Sequence, residues 1–553
     1  MADATGPGTG TGEALRGLMQ ERALEIGVLA RRAQTLFGHK PVISGTVTGE
    51  TVTTWGEVVD RSRRLSAALD LLDVPRSARV GTFAWNTARH VELYLGVPSG
   101  GRVLHTLNHR LFAADLRHIL TDAADDVVVV DRSLLHVVGD VVVGAPTVRW
   151  IVVVDDGATD PLPDDPRVLD YEELLARVPY PPSSWSVPGG GRIDEDDAAC
   201  LCYTSGTTGR PKGVLYSHRS VVLHALLLLG VDSFGIGERD VVLPVVPMFH
   251  VNGWGLPYAA ATAGATLVLP GPRTAPEALA DALERHRVTF TAGVPAVWRS
   301  LRPLLAGREL SALRKVVSGG SALPDTLSAD FERDAGLPIS GSWGMTETSP
   351  VVAVGRVPSA RDGLPADERR RLLGQPGPTV PLVDVRVVDP AGRPVPRDGV
   401  TSGELQVAGP TIAGEYFGAE AGADSFTADG WLRTGDVATL DEVGTVRIVD
   451  RTKDMIKSGG EWISSVALEN HLMAHPGVQE AAVVGVSDER WGERPLAYVV
   501  PVGDEPPSQE ALRAHLAERV ASWWVPDRFV VLDAIPKTAT GKFAKVALRR
   551  RGD

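Results

Sequence analysis

Short runs rich in β-branched residues alternate with stretches of helical period along most of this chain, and that rhythm sets the first expectations. Residues 127–130 and 151–154 read as strands buried on both faces, while 55–72 repeats its apolar positions as an amphipathic helix does. After 198 the alternation resumes, with a strand at 267–269, a helix at 275–286 and a strand at 288–292. Strands separated by helices predict βαβ units and largely parallel sheets. The Pro-, Ser- and Gly-rich stretch 180–191 reads as a loop between two such subdomains. Past Gly374 the pattern changes to short strands and tight turns, such as 383–388 followed by a turn at 389–393, which predicts an antiparallel, barrel-like part. A further α+β unit follows. It begins with the hairpin-like 437–450 and continues as helix 466–474, strands 481–486 and 497–500, and helix 509–521.

The fold class expected is therefore α/β: a large N-terminal domain of two βαβ-type subdomains plus a small barrel-like part, and a smaller α+β C-terminal domain. Length agrees, since 553 residues exceed what one core can organise. With 43% hydrophobic and 23% charged residues the chain has the mix of a folded globular protein. The formal charge of -13 argues against broad binding to nucleic acid or anionic membrane, so a site for a polyanion must supply its own local cations. Residues 1–12 lack the basic start and apolar run of a signal peptide. The apolar stretch 221–231 is far short of the ~20 residues needed to cross a bilayer. No integral membrane segment and a cytoplasmic, reducing location are expected. Cys200 and Cys202, two apart on an apolar strand, point the same way, and nothing nearby completes a four-ligand metal site, so neither a disulfide nor a metal centre is expected there.

The most informative stretch is Tyr203-Thr204-Ser205-Gly206-Thr207-Thr208-Gly209-Arg210-Pro211-Lys212-Gly213, placed after an apolar strand. Small hydroxyl residues and glycines let backbone N–H groups crowd around phosphate oxygens, and Lys212 adds a cation. It is not a Walker A loop, because Pro211 stands where that loop requires glycine. This motif resembles that of the adenylate-forming superfamily: acyl-CoA synthetases, aryl-CoA ligases, luciferases and peptide-synthetase adenylation domains. In the family's order follow Val245-Val246-Pro247-Met248-Phe249-His250, Gly344-Met345-Thr346-Glu347-Thr348, Thr434-Gly435-Asp436, Asp450-Arg451-Thr452-Lys453 and Pro536-Lys537-Thr538-Ala539-Thr540-Gly541-Lys542. The resemblance covers nearly the whole chain. Phe249-His250-Val251-Asn252-Gly253-Trp254 and Lys457-Ser458-Gly459-Gly460-Glu461-Trp462 look most like the bacterial medium- and long-chain fatty acyl-CoA synthetases.

The resemblance implies a reaction and a set of roles. A carboxylate attacks the α-phosphate of ATP, pyrophosphate leaves, and the acyl adenylate passes to coenzyme A. Thr204 and Glu347 would hold Mg²⁺. Ser205, Gly206, Thr207, Thr208, Gly209 and Lys212 would cradle phosphates, and Gly319, Gly320, Ser321 and Ala322 would form the adenine turn. Trp343, in the place of a tyrosine common in relatives, would present an aromatic face, next to Gly344, Met345 and Thr346. Asp436 would accept from the ribose hydroxyls, with Arg451 assisting. His250 would stand where acyl group and phosphate meet, and Trp254 would gate the acyl tunnel. Lys542 would bridge carboxylate and α-phosphate. The resemblance divides the chain into 1–450, the ATP- and acyl-binding domain, and 451–553, a mobile domain that carries Lys542, pivots at Lys453, and brings Lys457 and Trp462 against the adenylate. The partners implied are a small-molecule carboxylic acid, ATP and CoA, and a homodimer is an expectation from related fatty-acid enzymes. The acid could also be an aryl or cinnamate-type one, or the acceptor a nucleophile other than CoA in secondary metabolism.

Overall fold

The computed structural model describes residues 17–204, 210–418, 422–503, 505–538 and 542–552. Among them, seven strands form a first sheet in the order Val168–Asp170, Trp150–Val154, Asp125–Asp131, Arg79–Phe83, Val103–Thr106, Ala198–Tyr203 and Gly213–Ser217. All neighbours are parallel except the last pair. Eight strands form a second sheet: Val351–Val354, Ile339–Gly344, Lys315–Ser318, Phe290–Gly293, Val241–Pro244, Thr266–Leu269, Pro41–Gly45 and Glu50–Thr54. It is parallel inside, with one antiparallel strand at each edge.

The two sheets are not successive subdomains. Pro41–Gly45, from the first segment, pairs with Thr266–Leu269 in the second sheet, and Ala198–Tyr203 pairs with Val103–Thr106 in the first. The loop at 180–191 is therefore not the divide that the sequence suggested. A continuous apolar run says that a strand is covered on both faces, but not which sheet supplies its neighbours. Between the sheets lie the helices Ile26–Phe37, Trp55–Leu71, Ala88–Ser99, His218–Leu229 and Leu256–Ala263, which pack on one another and share one apolar core with both sheets. Trp55–Leu71 starts where predicted because Thr54 and Glu57 close a capping box.

Sharing a core brings the carboxyl ends of strands from both sheets to one crevice, where ligands of open α/β sheets bind. Tyr203, Ser318 and Gly344 each end a strand there. The antiparallel part is a five-stranded sheet in the order Gly377–Pro378, Thr445–Arg451, Leu432–Leu440, Gly403–Ala408 and Asp384–Val388. The hairpin at 437–450 belongs to it rather than to the C-terminal unit, because Leu432–Leu440 also pairs with Gly403–Ala408. The C-terminal unit has its own sheet, built on the long hairpin Val478–Asp488 and Gly492–Pro501, and its own cores. Its helices are Ser465–Met473, Gln509–Ala517 and Lys545–Gly552. Among the described residues no helix is long and apolar enough to cross a membrane.

The strand that delivers the Glu347 turn has no room to spare. A Cβ on Gly344 would stand 1.8 Å from the Pro350 carbonyl oxygen, so only glycine lets the chain fold back there. Gly344→Ala is expected to destabilise the protein by about 1–3 kcal/mol, read as an earlier thermal unfolding midpoint than that of the parent.

Candidate active site

Thr204 follows the strand Ala198–Tyr203, next to the edge of the first sheet. Its Oγ accepts the backbone N–H of Lys212 at 3.2 Å, and its own N–H donates to the Lys212 carbonyl at 2.9 Å, so the two residues form the neck of the glycine-rich loop. Ser205, Gly206, Thr207, Thr208 and Gly209 lie outside the described residues, as do Ala539, Thr540 and Gly541 of the last motif. From the neck, Lys212 reaches back and sets its Nζ 4.7 Å from the centre of the Tyr416 ring. The Tyr416 hydroxyl donates to Glu347 Oε1 at 2.6 Å. Burial, and then the Glu347 charge, raise the Tyr416 phenol above its ordinary value, which keeps it a donor. Glu347 itself is buried on the short turn Thr346–Thr348.

Thr204 and Glu347 are thus joined through Lys212 and Tyr416. Their oxygen donors suit Mg²⁺, a hard cation that keeps waters and takes phosphate oxygens. Among the described residues there is no cluster of three or more His, Cys, Asp or Glu that could hold a metal. Tyr416 was not foreseen from sequence. The only sign was a tyrosine in the loop Gly414-Glu415-Tyr416-Phe417-Gly418, with no chemistry of its own until the fold sets it beside Glu347.

Across the crevice, Gly320 has φ +81 and Gly320, Ser321 and Ala322 stand open to solvent, as a surface for a flat base requires. Asp436 is 2% exposed and both of its oxygens are engaged: Trp343 Nε1 donates to Oδ2 at 2.8 Å, and Arg451 Nε pairs with Oδ1 at 2.6 Å. Burial raises the Asp436 carboxyl above its ordinary value, while Arg451 and the Trp343 donor oppose that rise. The indole therefore does more than offer an aromatic face. Its N–H holds the buried carboxylate.

Lys542 meets this group from the C-terminal unit. Its Cε lies 3.7 Å from where a Cβ on Gly320 would stand. Desolvation lowers its ammonium to about 8, Arg451 and Lys453 push it the same way, and Asp436 and Glu347 oppose them. His250, neutral because burial and then the Lys542 charge push it down to about 3, lines a cleft with Thr204, Tyr203, Phe249 and Thr106. Lys542, Glu347, Asp436, Arg451 and His250 thus gather in one place. Lys453, at the junction, gives its carbonyl to Arg549 at 3.1 Å.

Lys457 and Trp462 are not brought in. They lie across the hairpin Ile456–Ser458 and Glu461–Ile463 from each other, with the Lys457 Nζ 5.6 Å from the Trp462 ring centre, and both are exposed. The expected contact with an adenylate is absent from this arrangement, because the hairpin faces solvent while Lys542 occupies the crevice. Trp254 is buried at 6% exposure, and a Cβ on Gly319 would stand 2.9 Å from its ring. It sits in a turn where Val251, Asn252, Gly253, Trp254 and Gly255 all have φ between 47 and 71. Such conformations cost about 1–2 kcal/mol for each non-glycine residue, and strain of this kind gathers at functional sites.

Two outcomes follow for this cluster. Trp343→Phe strands one oxygen of a buried carboxylate and is expected to raise the KM for ATP about tenfold, with little change for the acid. Lys542 carries its proton below about pH 8, so kcat/KM for pyrophosphate release, which reports the free enzyme, should fall as pH rises through that value.

Comparison with known proteins agrees with this geometry. A family model described as AMP-binding enzyme matches residues 30–417, and one described as AMP-binding enzyme C-terminal domain matches 467–542. The long-chain-fatty-acid–CoA ligase of Thermus thermophilus is 47% identical over 537 residues, covering 96% of each chain. A 3-methylmercaptopropionyl-CoA ligase of Ruegeria lacuscaerulensis is 41% identical over 540 residues, covering 96% of this chain and 98% of the relative. The crystal structure of the anthranilate CoA ligase AuaEII with anthranoyl-AMP superposes with a TM-score of 0.82 at 25% identity, covering 95% of this chain and 97% of that one. Fold, motifs and relatives converge: the chain belongs to the AMP-binding enzymes of the adenylate-forming superfamily, and is an ATP-dependent acid–CoA ligase.

Proposed function

We propose that this ligase activates a medium- or long-chain fatty acid and transfers it to CoA, in two half-reactions run by two positions of the unit 451–553. The observation that carries the reading is the convergence of Lys542 with Gly320, Asp436 and Glu347. In the first half-reaction Lys542 neutralises charge between the acid's carboxylate and the α-phosphate, where preorganised cations lower the barrier most. Thr204 and Glu347 would hold a Mg²⁺ ion, which would supply positive charge against the phosphate oxygens, and Lys212 steadies the phosphates. His250, neutral, orients the acid without competing for the phosphate. In the second half-reaction the unit turns about Lys453, withdraws Lys542 and presents Lys457, Gly459 and Trp462 to the adenylate and the incoming thiol.

The relatives that act on fatty acids support the acyl class, and apolar Val221, Val222, Val251 and Leu256 in the expected acyl region agree with it. A panel of short- to long-chain fatty acids and aryl acids, assayed for pyrophosphate and for acyl-CoA by mass, tests the reading. Medium or long aliphatic acids should give both products. Pyrophosphate with no thioester would point to another acceptor, and preference for aryl acids would replace the fatty acid. Lys542→Ala should slow adenylation roughly 10²–10³-fold.

A second contact reports on the closed position. Glu480 Oε1, on the C-terminal sheet, receives Arg299 Nη1 at 3.0 Å from the helix Pro295–Leu301 of the large domain, and Lys537 Nζ at 2.8 Å. Arg299→Ala removes a partly exposed pair worth roughly 1 kcal/mol. It should slow adenylation about fivefold while leaving thioester formation from preformed acyl adenylate unchanged or faster, as single-turnover measurements of the two steps would show.

A further inference from the structure

Beside the turn that holds Trp254 lies a second cavity, lined by Tyr216, Val221, Asn252, Tyr258 and Ser349, with His224 and Gly255 adjoining in its wall. Its wall is more polar than a plain alkyl chain requires, and nearly every polar group in it is already engaged. The Tyr216 hydroxyl donates to the Thr346 carbonyl at 2.6 Å, and the Tyr258 hydroxyl donates to the Tyr94 carbonyl at 3.3 Å. The Asn252 Oδ1 accepts from the Cys202 thiol at 3.4 Å.

His224 keeps one nitrogen unengaged. It is 2% exposed, on the helix His218–Leu229, and its Nε2 accepts the backbone N–H of Val351 at 3.2 Å. Burial pushes the imidazole down to about 3, so the ring is neutral and carries one proton. With Nε2 accepting, that proton is on Nδ1. Among the described residues Nδ1 has no hydrogen-bond partner. It points at Gly255, where an added Cβ would stand 2.6 Å from it. A buried donor of fixed tautomer thus opens on a cavity whose other wall is the left-handed turn holding Trp254. A donor that no protein group meets is open to a bound acceptor, whose hydrogen bond adds to affinity. No cation lines the cavity, so the matching group is a neutral acceptor rather than a second carboxylate.

We propose that His224 is a specificity-determining residue of the acyl site, whose Nδ1–H donates to a neutral oxygen carried on the chain of the acid, such as a keto, ether or hydroxyl oxygen, once the Val251–Gly255 turn gives way. The preferred substrates are then oxygen-bearing aliphatic acids rather than the plain chains of equal length. This rests on the acyl-activating function proposed above and adds a polar feature to its substrate.

The test compares a saturated acid with isosteric acids in which one methylene is replaced by an ether oxygen or a ketone, the position being walked along the chain. The wild type should adenylate at least one oxygen-bearing acid with a kcat/KM about tenfold above that of the plain acid. His224→Leu should bring the ratio to about one, and His224→Gln, which still donates, should restore part of it. His224→Leu also strands the Val351 N–H, so a wild-type measurement accompanies it: the Nδ1–H proton resonance of His224 should move downfield with the preferred acid and stay put with the plain one. Preference for the plain acid at every position, a ratio that survives His224→Leu, or an unmoved resonance would each overturn the proposal while pyrophosphate release leaves the ligase intact. If no acid of either series released pyrophosphate, the failure would lie with the acyl-activating function itself.

Discussion

The closed molecule depends on a desolvated cation, Lys542, whose opposite charges sit on another unit. In its crevice stand Arg451 and Lys453, which repel it, and Asp436 and Glu347, which attract it. Lys212 adds a further positive charge beside Glu347 through Tyr416. Cations outnumber carboxylates at this place, although the chain as a whole carries -13. The imbalance is what a polyphosphate would correct, and each carboxylate is held where it can serve a nucleotide without cancelling that field. Asp436 is held by Trp343 and Arg451, and Glu347 by Tyr416.

That convergence follows from topology. Because the two sheets share one helical core, the carboxyl ends of Ala198–Tyr203 and Ile339–Gly344, more than a hundred residues apart, open into a single crevice. Glycines at the strand ends let backbone approach backbone there, most tightly at Gly344. The left-handed turn at Val251–Gly255 is the counterpart on the acyl side. It stores strain next to Trp254 and His224, so the segment that walls this cavity also has strain to release by rearranging.

Much of this was legible in the chain. The phosphate loop and the motifs at Glu347, Asp436, Arg451 and Lys542 could be read because each packs its chemistry into a few consecutive residues. The strands and helices of the C-terminal unit were likewise readable from periodicity, as helix Ser465–Met473 shows. What could not be read was everything that depends on residues distant in sequence. The interleaving of the sheets, Tyr416 beside Glu347, Arg299 against Glu480 and the free Nδ1 of His224 arise only when separate segments meet. The exposed positions of Lys457 and Trp462 are a different case: the resemblance places them at the adenylate only after the small unit has turned, which a single arrangement does not test.

The junction between the units shows how one chain can hold such an arrangement without fixing it. Asp450, at the end of the antiparallel sheet, receives the backbone N–H of Ser465 at 2.6 Å and its hydroxyl at 2.7 Å. Lys545, three residues beyond Lys542, donates to that same hydroxyl at 2.7 Å and pairs with Glu469 at 2.7 Å. Burial lifts Glu469 to about 7, against the pull of Lys545. These contacts tie the C-terminal helix to the start of Ser465–Met473 and to the strand leading into Arg451, close to the proposed pivot at Lys453. On the proposed turn about Lys453, the Arg299–Glu480 contact, which crosses between the units, would have to break. The buried network would then keep the unit attached at its root, and the balance between the proposed positions would fall to the partly exposed contacts between the units and to the anion that fills the crevice.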